Sequence, residues 1–296
     1  MKFTVISNMY FCCMQLLKKI IDFYIFSNIH VAMSGFSLTK ITLLGFGISN
    51  NSIPFFVGFS IIVSYNFIRY YEITENRLIW FKDWFFKNIK KIMIVYLLSI
   101  AGIGYILFFT NFYLKSLIVL LPFVFMTFFY AIPLFKIGKT EFSFRNFPAI
   151  KIFSIAIAWA GISVIFPLYE AKYQLTSEIY LEFIQRILYL LALTIPFDIR
   201  DVDDDSTSLK TLPQMLGITN VKILGIWLLL GFVLLENLKV NFTYSNLLIA
   251  FLVGIITGLF LWFSKPKSTR YYISFWVESI PIIWLGLILL FSSQLI

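Results

Sequence analysis

Five of the fifteen acidic residues in this 296-residue chain fall between Asp198 and Asp205. Read as helix, Asp198, Asp201 and Asp205 stand at i, i+3 and i+7 and share one face. Three ionised carboxylates on one face repel one another unless a cation sits among them. An oxygen-only cluster suits a hard divalent cation, Mg²⁺ above all, commonly shared with a phosphate-bearing ligand. A solvated surface loop is the plainer use of the same residues. The spacing Asp201-x-Asp203-x-Asp205 also suggests a calcium loop of the EF-hand kind. That alternative fails twice, because Ser206 stands where the turn glycine belongs and Leu212 where the bidentate glutamate belongs.

Cations that could meet a phosphate lie in two places. Arg200 and Lys210 flank the aspartates, and a second stretch carries Tyr130, Lys136, Lys139, Arg145 and Lys151. Carboxylates to hold Mg²⁺ and basic side chains to neutralise phosphate oxygens together make a diphosphate site. Aromatic residues make up 20% of the chain. Phe123, Phe125, Phe128 and Phe129 are placed to line an apolar tunnel beneath such a site, with ordinary helix and lipid packing as the alternative for each.

The elements that position these groups are membrane helices. Hydrophobic residues make up 60% of the chain, charged residues 13%, and the mean hydropathy is +0.88. Apolar runs of bilayer-spanning length recur throughout, and the alternating segments of a β-barrel are missing. The expectation is an all-α, polytopic membrane bundle of one domain, residues 1–296, with about nine spans. These fall near 22–48, 53–72, 92–110, 115–134, 149–168, 179–197, 219–236, 245–263 and 273–293. Residues 1–20 read as a cytoplasmic, interfacial segment, since Lys18-Lys19 follow the apolar run where a signal peptide would have them precede it. The first span is unusually polar, with Asp22, Ser27, Asn28, His30, Ser34 and Ser37, and such residues face a bundle interior.

Basic residues follow the positive-inside rule. With a cytoplasmic N-terminus, the outer connections carry only Lys115, Lys172 and Lys239. The aspartate-rich stretch then lies on the cytoplasmic side. The net charge of +9 is accounted for by loops facing anionic lipid, so no nucleic-acid partner is expected. Cys12 and Cys13 are adjacent and build no disulfide framework; a single histidine, His30, excludes any site that needs a pair. Richness in Phe, Ile and Lys resembles an AT-rich bacterial genome, which makes a bacterial inner membrane the expected location.

Asp198-Ile-Arg-Asp201-x-x-x-Asp205, with Lys210-Thr-Leu-Pro213 and Leu216-Gly217 after it, resembles the second aspartate-rich motif of the UbiA-type intramembrane prenyltransferases. Tyr130-x-x-Pro133-x-x-Lys136 is similar to the segment that follows the fourth helix in that family, and the nine-span plan agrees. The resemblance runs over nearly the whole chain, although only the second motif is specific. It implies Asp198, Asp201 and Asp205 as ligands of Mg²⁺. It also implies a prenyl diphosphate held by Asn66, Arg69, Lys136, Arg145, Arg200 and Lys210, and transfer of the prenyl group to an aromatic or lipid acceptor.

The first motif departs from the family pattern. Asn66 is kept, but Phe67, Tyr70 and Thr74 stand in place of its three aspartates, and none of these is a good ligand for a hard cation. Glu72 or Glu75 could compensate through a shifted register, or Arg69 and Arg77 could replace one metal by gripping phosphate oxygens. A catalytically impaired relative that binds an isoprenoid lipid or a partner enzyme is the alternative function.

Overall fold

The computed structural model describes residues 2–76, 78–132, 135–137, 140–142, 150–174, 176–205, 210–240 and 242–292. It begins with α1 (Lys2–Phe26), α2 (Ile29–Gly45), α3 (Ser52–Thr74), α4 (Ile79–Phe109) and α5 (Ser116–Ala131). A short antiparallel hairpin follows, β1 (Phe135–Ile137) on β2 (Thr140–Phe142). Next come α6 (Ile150–Ala160), a π-helical turn at Gly161–Ile165 and α7 (Phe166–Glu170), which together run as one rod. The chain continues through α8 (Ser177–Asp201), α9 (Leu212–Leu216), α10 (Ile218–Glu236) and α11 (Tyr244–Phe263). A second π-helical turn, Tyr272–Val277, leads into α12 (Ile280–Ser292).

Among the described residues, seven helical segments are long and apolar enough to cross a membrane: 52–74, 79–109, 151–170, 177–201, 218–236, 244–263 and 272–291. Two of the nine expected spans fall short of that length. The region near 22–48 is broken at Ser27-Asn28, where Asn28 takes φ +68°, leaving α2 with 17 residues. The fourth expected span is the 16-residue α5. The structure is therefore an all-α membrane bundle with, among the described residues, seven helical segments of full spanning length.

The helices close into a ring. α2 packs on α3, α3 on α5, α5 on α6, α6 on α8, α8 on α10, α10 on α11, α11 on α12, and α12 back on α2. α4 lies outside against α3, with only 17% of its apolar window buried in protein. Its 31 residues span ~46 Å at 1.5 Å per residue, more than the hydrocarbon core requires.

Several polar groups find protein partners inside the ring, where an apolar solvent offers none. At the π-turn before α12, the carbonyl of Phe275 meets His30 Nε2 at 2.9 Å and accepts Ser279 Oγ at 2.6 Å. Ser34 donates to the carbonyl of Glu278. The polar first span thus faces the interior and bonds the last helix. At the opposite end of the bundle from Asp201, Arg186 is 1% exposed. It donates to the Leu38 carbonyl (2.9 Å), Thr42 Oγ1 (3.1 Å) and Glu182 Oε1 (2.8 Å). Lys239 Nζ bridges Glu182 (2.6 Å) and Glu236 (2.8 Å). Gln185 Nε2 donates to Glu236 Oε2 at 2.8 Å, so one network ties α2, α8 and α10.

Gly161 permits a close approach: a Cβ there would lie 2.1 Å from the Phe123 ring. That contact seats α5 against the π-turn.

Candidate functional site: a charged cavity beside an apolar chamber

A cavity of about 410 Å³ opens inside the ring between α2, α3, α5, α6, α8 and the segment leading into α12. Its charged lining is Arg69, Lys151 and Arg200 against Glu72, Asp198, Asp201, Asp205 and Glu278. Three cations against five carboxylates give a formal charge of −2 when all are ionised.

The three expected aspartates reach this cavity by different routes. Asp198 and Asp201 lie in the last turn of α8, which ends at Asp201. Asp205 is past the helix, in a turn closed by its own N–H on the Asp201 carbonyl at 2.8 Å. α9 holds that turn through Gln214. Gln214 Nε2 donates to the carbonyl of Asp205 at 3.0 Å, while Gln214 Oε1 accepts the Thr211 N–H at 3.0 Å. The Thr-Leu-Pro-Gln run after the aspartates is thus a clamp on the Asp205 turn.

Lys151, on the first turn of α6, places Nζ 2.9 Å from Asp198 Oδ1 and 3.0 Å from Asp205 Oδ2. Asp201 faces another cation. Arg200 Nε and Nη2 fork onto its two oxygens at 2.6 and 2.8 Å. Among the described residues no three carboxylate, imidazole or thiol groups converge on one point. Mg²⁺, however, is commonly held by one or two carboxylates plus substrate oxygens and water. Asp198 and Asp205 meet that requirement, since both present an oxygen to the single point that the Lys151 ammonium occupies. The donor set therefore fits one Mg²⁺.

α3 contributes a different face from the one its motif positions suggest. Tyr65, Ile68, Arg69 and Glu72 line the cavity, at i, i+3, i+4 and i+7. Arg69 donates from Nη1 to the Phe26 carbonyl at 3.1 Å and lies over the Phe81 ring. Phe67 turns away beside Phe128, with ring centroids 5.8 Å apart. Tyr70 is half-exposed against Phe85, and Thr74 is exposed and bonded to the Tyr71 carbonyl. Of the four residues that could compensate for the lost aspartates, Arg69 and Glu72 are on the cavity wall and Glu75 is absent from it.

The remaining expected diphosphate ligands do not gather there. Asn66 is buried and donates to the carbonyls of Ser27 (3.0 Å) and Ile62 (2.9 Å), so it secures the α1–α2 break and is absent from the cavity wall. Lys210 is exposed at φ +42° and is likewise absent from the wall. Lys136 lies in β1, paired in backbone register with Glu141. Arg145, with Lys139 and Arg77, falls outside the described residues.

Two residues of the wall carry more weight in the structure than in the sequence. Lys151 reads there as one of several basic residues, and only folding brings it onto two aspartates 47 and 54 positions away. Glu278, a lone carboxylate close to Pro281, reads as an interfacial anchor or a helix-to-helix hydrogen-bonding group. Its carboxylate lines the cavity within electrostatic reach of Arg69 and Arg200. The available signal is a lone carboxylate inside an apolar run, which in membrane helices marks an interior or cavity position.

A second chamber of about 330 Å³ lies between α3, α4, α5 and the first π-turn. Phe56, Phe67, Ile103, Leu120, Phe128 and Ile162 are among its walls. Tyr65, Thr127 and Trp159 belong to both cavities, and Trp159 Nε1 donates to the Tyr65 hydroxyl at 3.3 Å. Of the four tunnel phenylalanines, Phe128 lines this chamber. Phe123 packs on Gly161, and Phe125 is 55% exposed and stacked on Phe129. No protein-family model, curated protein or solved structure matches the chain significantly.

Proposed function

We propose that this chain is a UbiA-type membrane prenyltransferase. It would bind a prenyl diphosphate with the diphosphate in the charged cavity and the isoprenoid tail in the apolar chamber, and transfer the prenyl group to an aromatic or lipid acceptor. The observation that carries this reading is the shared wall of the two cavities, one charged and one apolar, which suits a ligand with an anionic head and a hydrocarbon tail. The short helices α2 and α5 complete a nine-crossing plan. The N-terminus and the aspartate end face the cytoplasm, in a bacterial inner membrane.

In the transfer, the allylic C–O bond breaks with its electron pair staying on the diphosphate oxygen. The acceptor supplies the new electron pair to the allylic carbon and then gives up a proton. Arg69 and Arg200 are the guanidinium groups on the cavity wall that would neutralise phosphate oxygens, Arg200 with the N–H groups its fork on Asp201 leaves over. The apolar chamber keeps water from the developing cation. Asp198 and Asp205 would hold Mg²⁺, which supplies neutralising charge for the departing diphosphate.

Binding of a prenyl diphosphate to the detergent-purified protein tests this, with EDTA and Asp198→Asn as controls. Saturable, metal-dependent binding that Asp198→Asn weakens at least tenfold is expected, about 1.4 kcal/mol or more. No binding under any condition overturns the reading. Phe67, Tyr70 and Thr74 favour a second one, an isoprenoid-binding relative without turnover. Binding without transfer to any acceptor would select it.

A further inference from the structure

Lys151 occupies the place where the two most convergent carboxylates of the cavity point. Its ammonium lies 2.9 Å from Asp198 and 3.0 Å from Asp205. Asp198 is 4% exposed. Two carboxylates so close in a low-dielectric interior require a compensating cation, whether or not a ligand is bound. One ammonium against two carboxylates leaves an uncompensated negative charge. Arg200 is already committed to Asp201 through both of its fork nitrogens. The pair therefore retains attraction for a second positive charge, although its best position is already filled.

We propose that Lys151 is a resident counter-ion that competes with a divalent cation for the position between Asp198 and Asp205, so that cation entry and Lys151 departure are one exchange. A lysine suits this role. Its charge is compact and its four-carbon stem flexible, so the ammonium can leave the carboxylates without moving α6. Once displaced, it remains beside the cavity and adds a cation for an anionic ligand there. Asp205 stays in place during the exchange because Gln214 holds its backbone. The exchange also keeps the carboxylate pair compensated in both states, which an empty metal site in an apolar bundle would not.

The exchange rests on the proposed diphosphate site for its use, but its test needs no prenyl substrate. The probe is Mn²⁺ alone, titrated into the detergent-purified chain and followed by the loss of the free-ion electron paramagnetic resonance signal. Lys151→Gln removes the competing charge and is expected to tighten Mn²⁺ binding at least about tenfold at one ion per chain. Lys151→Arg keeps the charge and should stay within about threefold of the natural chain. Asp198→Asn in the Lys151→Gln background should reverse the gain.

Lys151→Gln leaves two carboxylates uncompensated, so it should also melt lower than the natural chain without metal and recover with Mn²⁺. A variant that folds only when prepared with Mn²⁺ and unfolds on chelation supports the exchange equally. Unchanged or weaker Mn²⁺ binding by Lys151→Gln overturns it. If Lys151→Gln gains Mn²⁺ but no form binds a prenyl diphosphate, the exchange stands and the prenyltransferase reading falls. If the natural chain binds a prenyl diphosphate with metal while Lys151→Gln is indifferent to Mn²⁺, the exchange falls and the prenyltransferase reading stands.

Discussion

Among the described residues Arg186 is the largest side chain fully removed from solvent, and its charge is matched close at hand. Glu182 is shared between Arg186 and Lys239, and Glu236 is shared between Lys239 and Gln185. Removing one member of a buried pair costs more than the pair contributes, because the other charge stays buried without a partner. Glu182→Gln is therefore expected to destabilise the bundle by about 3–5 kcal/mol, read as a lower melting temperature in detergent. Cavity ligands at the other end should bind as before once the protein is folded. Burial opposes the Lys239 charge, but Glu182 and Glu236 outweigh it and raise its pKa above the ordinary lysine value. A raised pKa contributes stability that is complete below the unfolded value, about 10.4, and is lost only as pH climbs through the folded one. The Glu182→Gln deficit should accordingly be constant from about pH 7 to 9. A deficit that vanishes across that range would assign the stability to another group.

At the scale of elements, α8 ends at Asp201, and the third aspartate depends on a turn that the short α9 holds from outside. Five residues of helix contribute little stability of their own. The role of α9 lies in Gln214, whose amide reaches the carbonyls of Val202 and Asp205. Gln214→Ala is expected to weaken divalent cation binding about tenfold, or about 1.4 kcal/mol. Its effect on the melting temperature should be small, since the site is at the end of the bundle. Equal metal affinity in the variant would mean that the turn holds its shape without α9. The face presented by α3 is likewise a matter of elements. The break at Ser27-Asn28 gives Asn66 one backbone partner on another segment, the Ser27 carbonyl, beside the Ile62 carbonyl of its own helix. That fixes the rotation at which Arg69 and Glu72, and not Phe67 or Tyr70, turn to the cavity.

Across the whole molecule, the ring of helices separates two charged ends. Glu182 and Asp201 are 19 residues apart on α8, ~29 Å at helical rise, which is the thickness of a hydrocarbon core. The orientation follows from a labelling experiment. With Cys12 and Cys13 changed to serine, Asp203→Cys and Tyr244→Cys report the aspartate end and the exposed start of α11. In sealed inverted vesicles a membrane-impermeant thiol reagent should label Asp203→Cys and spare Tyr244→Cys. The reverse pattern would put the aspartates outside the cell and contradict the positive-inside assignment.

An all-helical membrane bundle was legible in the sequence because apolar length and composition leave a spanning segment no other way to satisfy its backbone. The clustering of Asp198, Asp201 and Asp205 was legible too, since residues that close in sequence stay close in space. The polar first span announced an interior face, and His30 and Ser34 occupy one. The partners of those aspartates could not be read in the same way. Lys151 reaches Asp198 and Asp205 only because α6 packs on α8. Glu278 reaches the same cavity only because α12 closes the ring on α2. The resemblance to the prenyltransferase motifs implied that Asn66 and Lys210 would join the site. A helix rotation directs Asn66 to the backbone instead, and the turn before α9 leaves Lys210 in the open. Local pattern determined what can span a membrane and which charges travel together, whereas the packing of distant helices decided which opposite charges they meet.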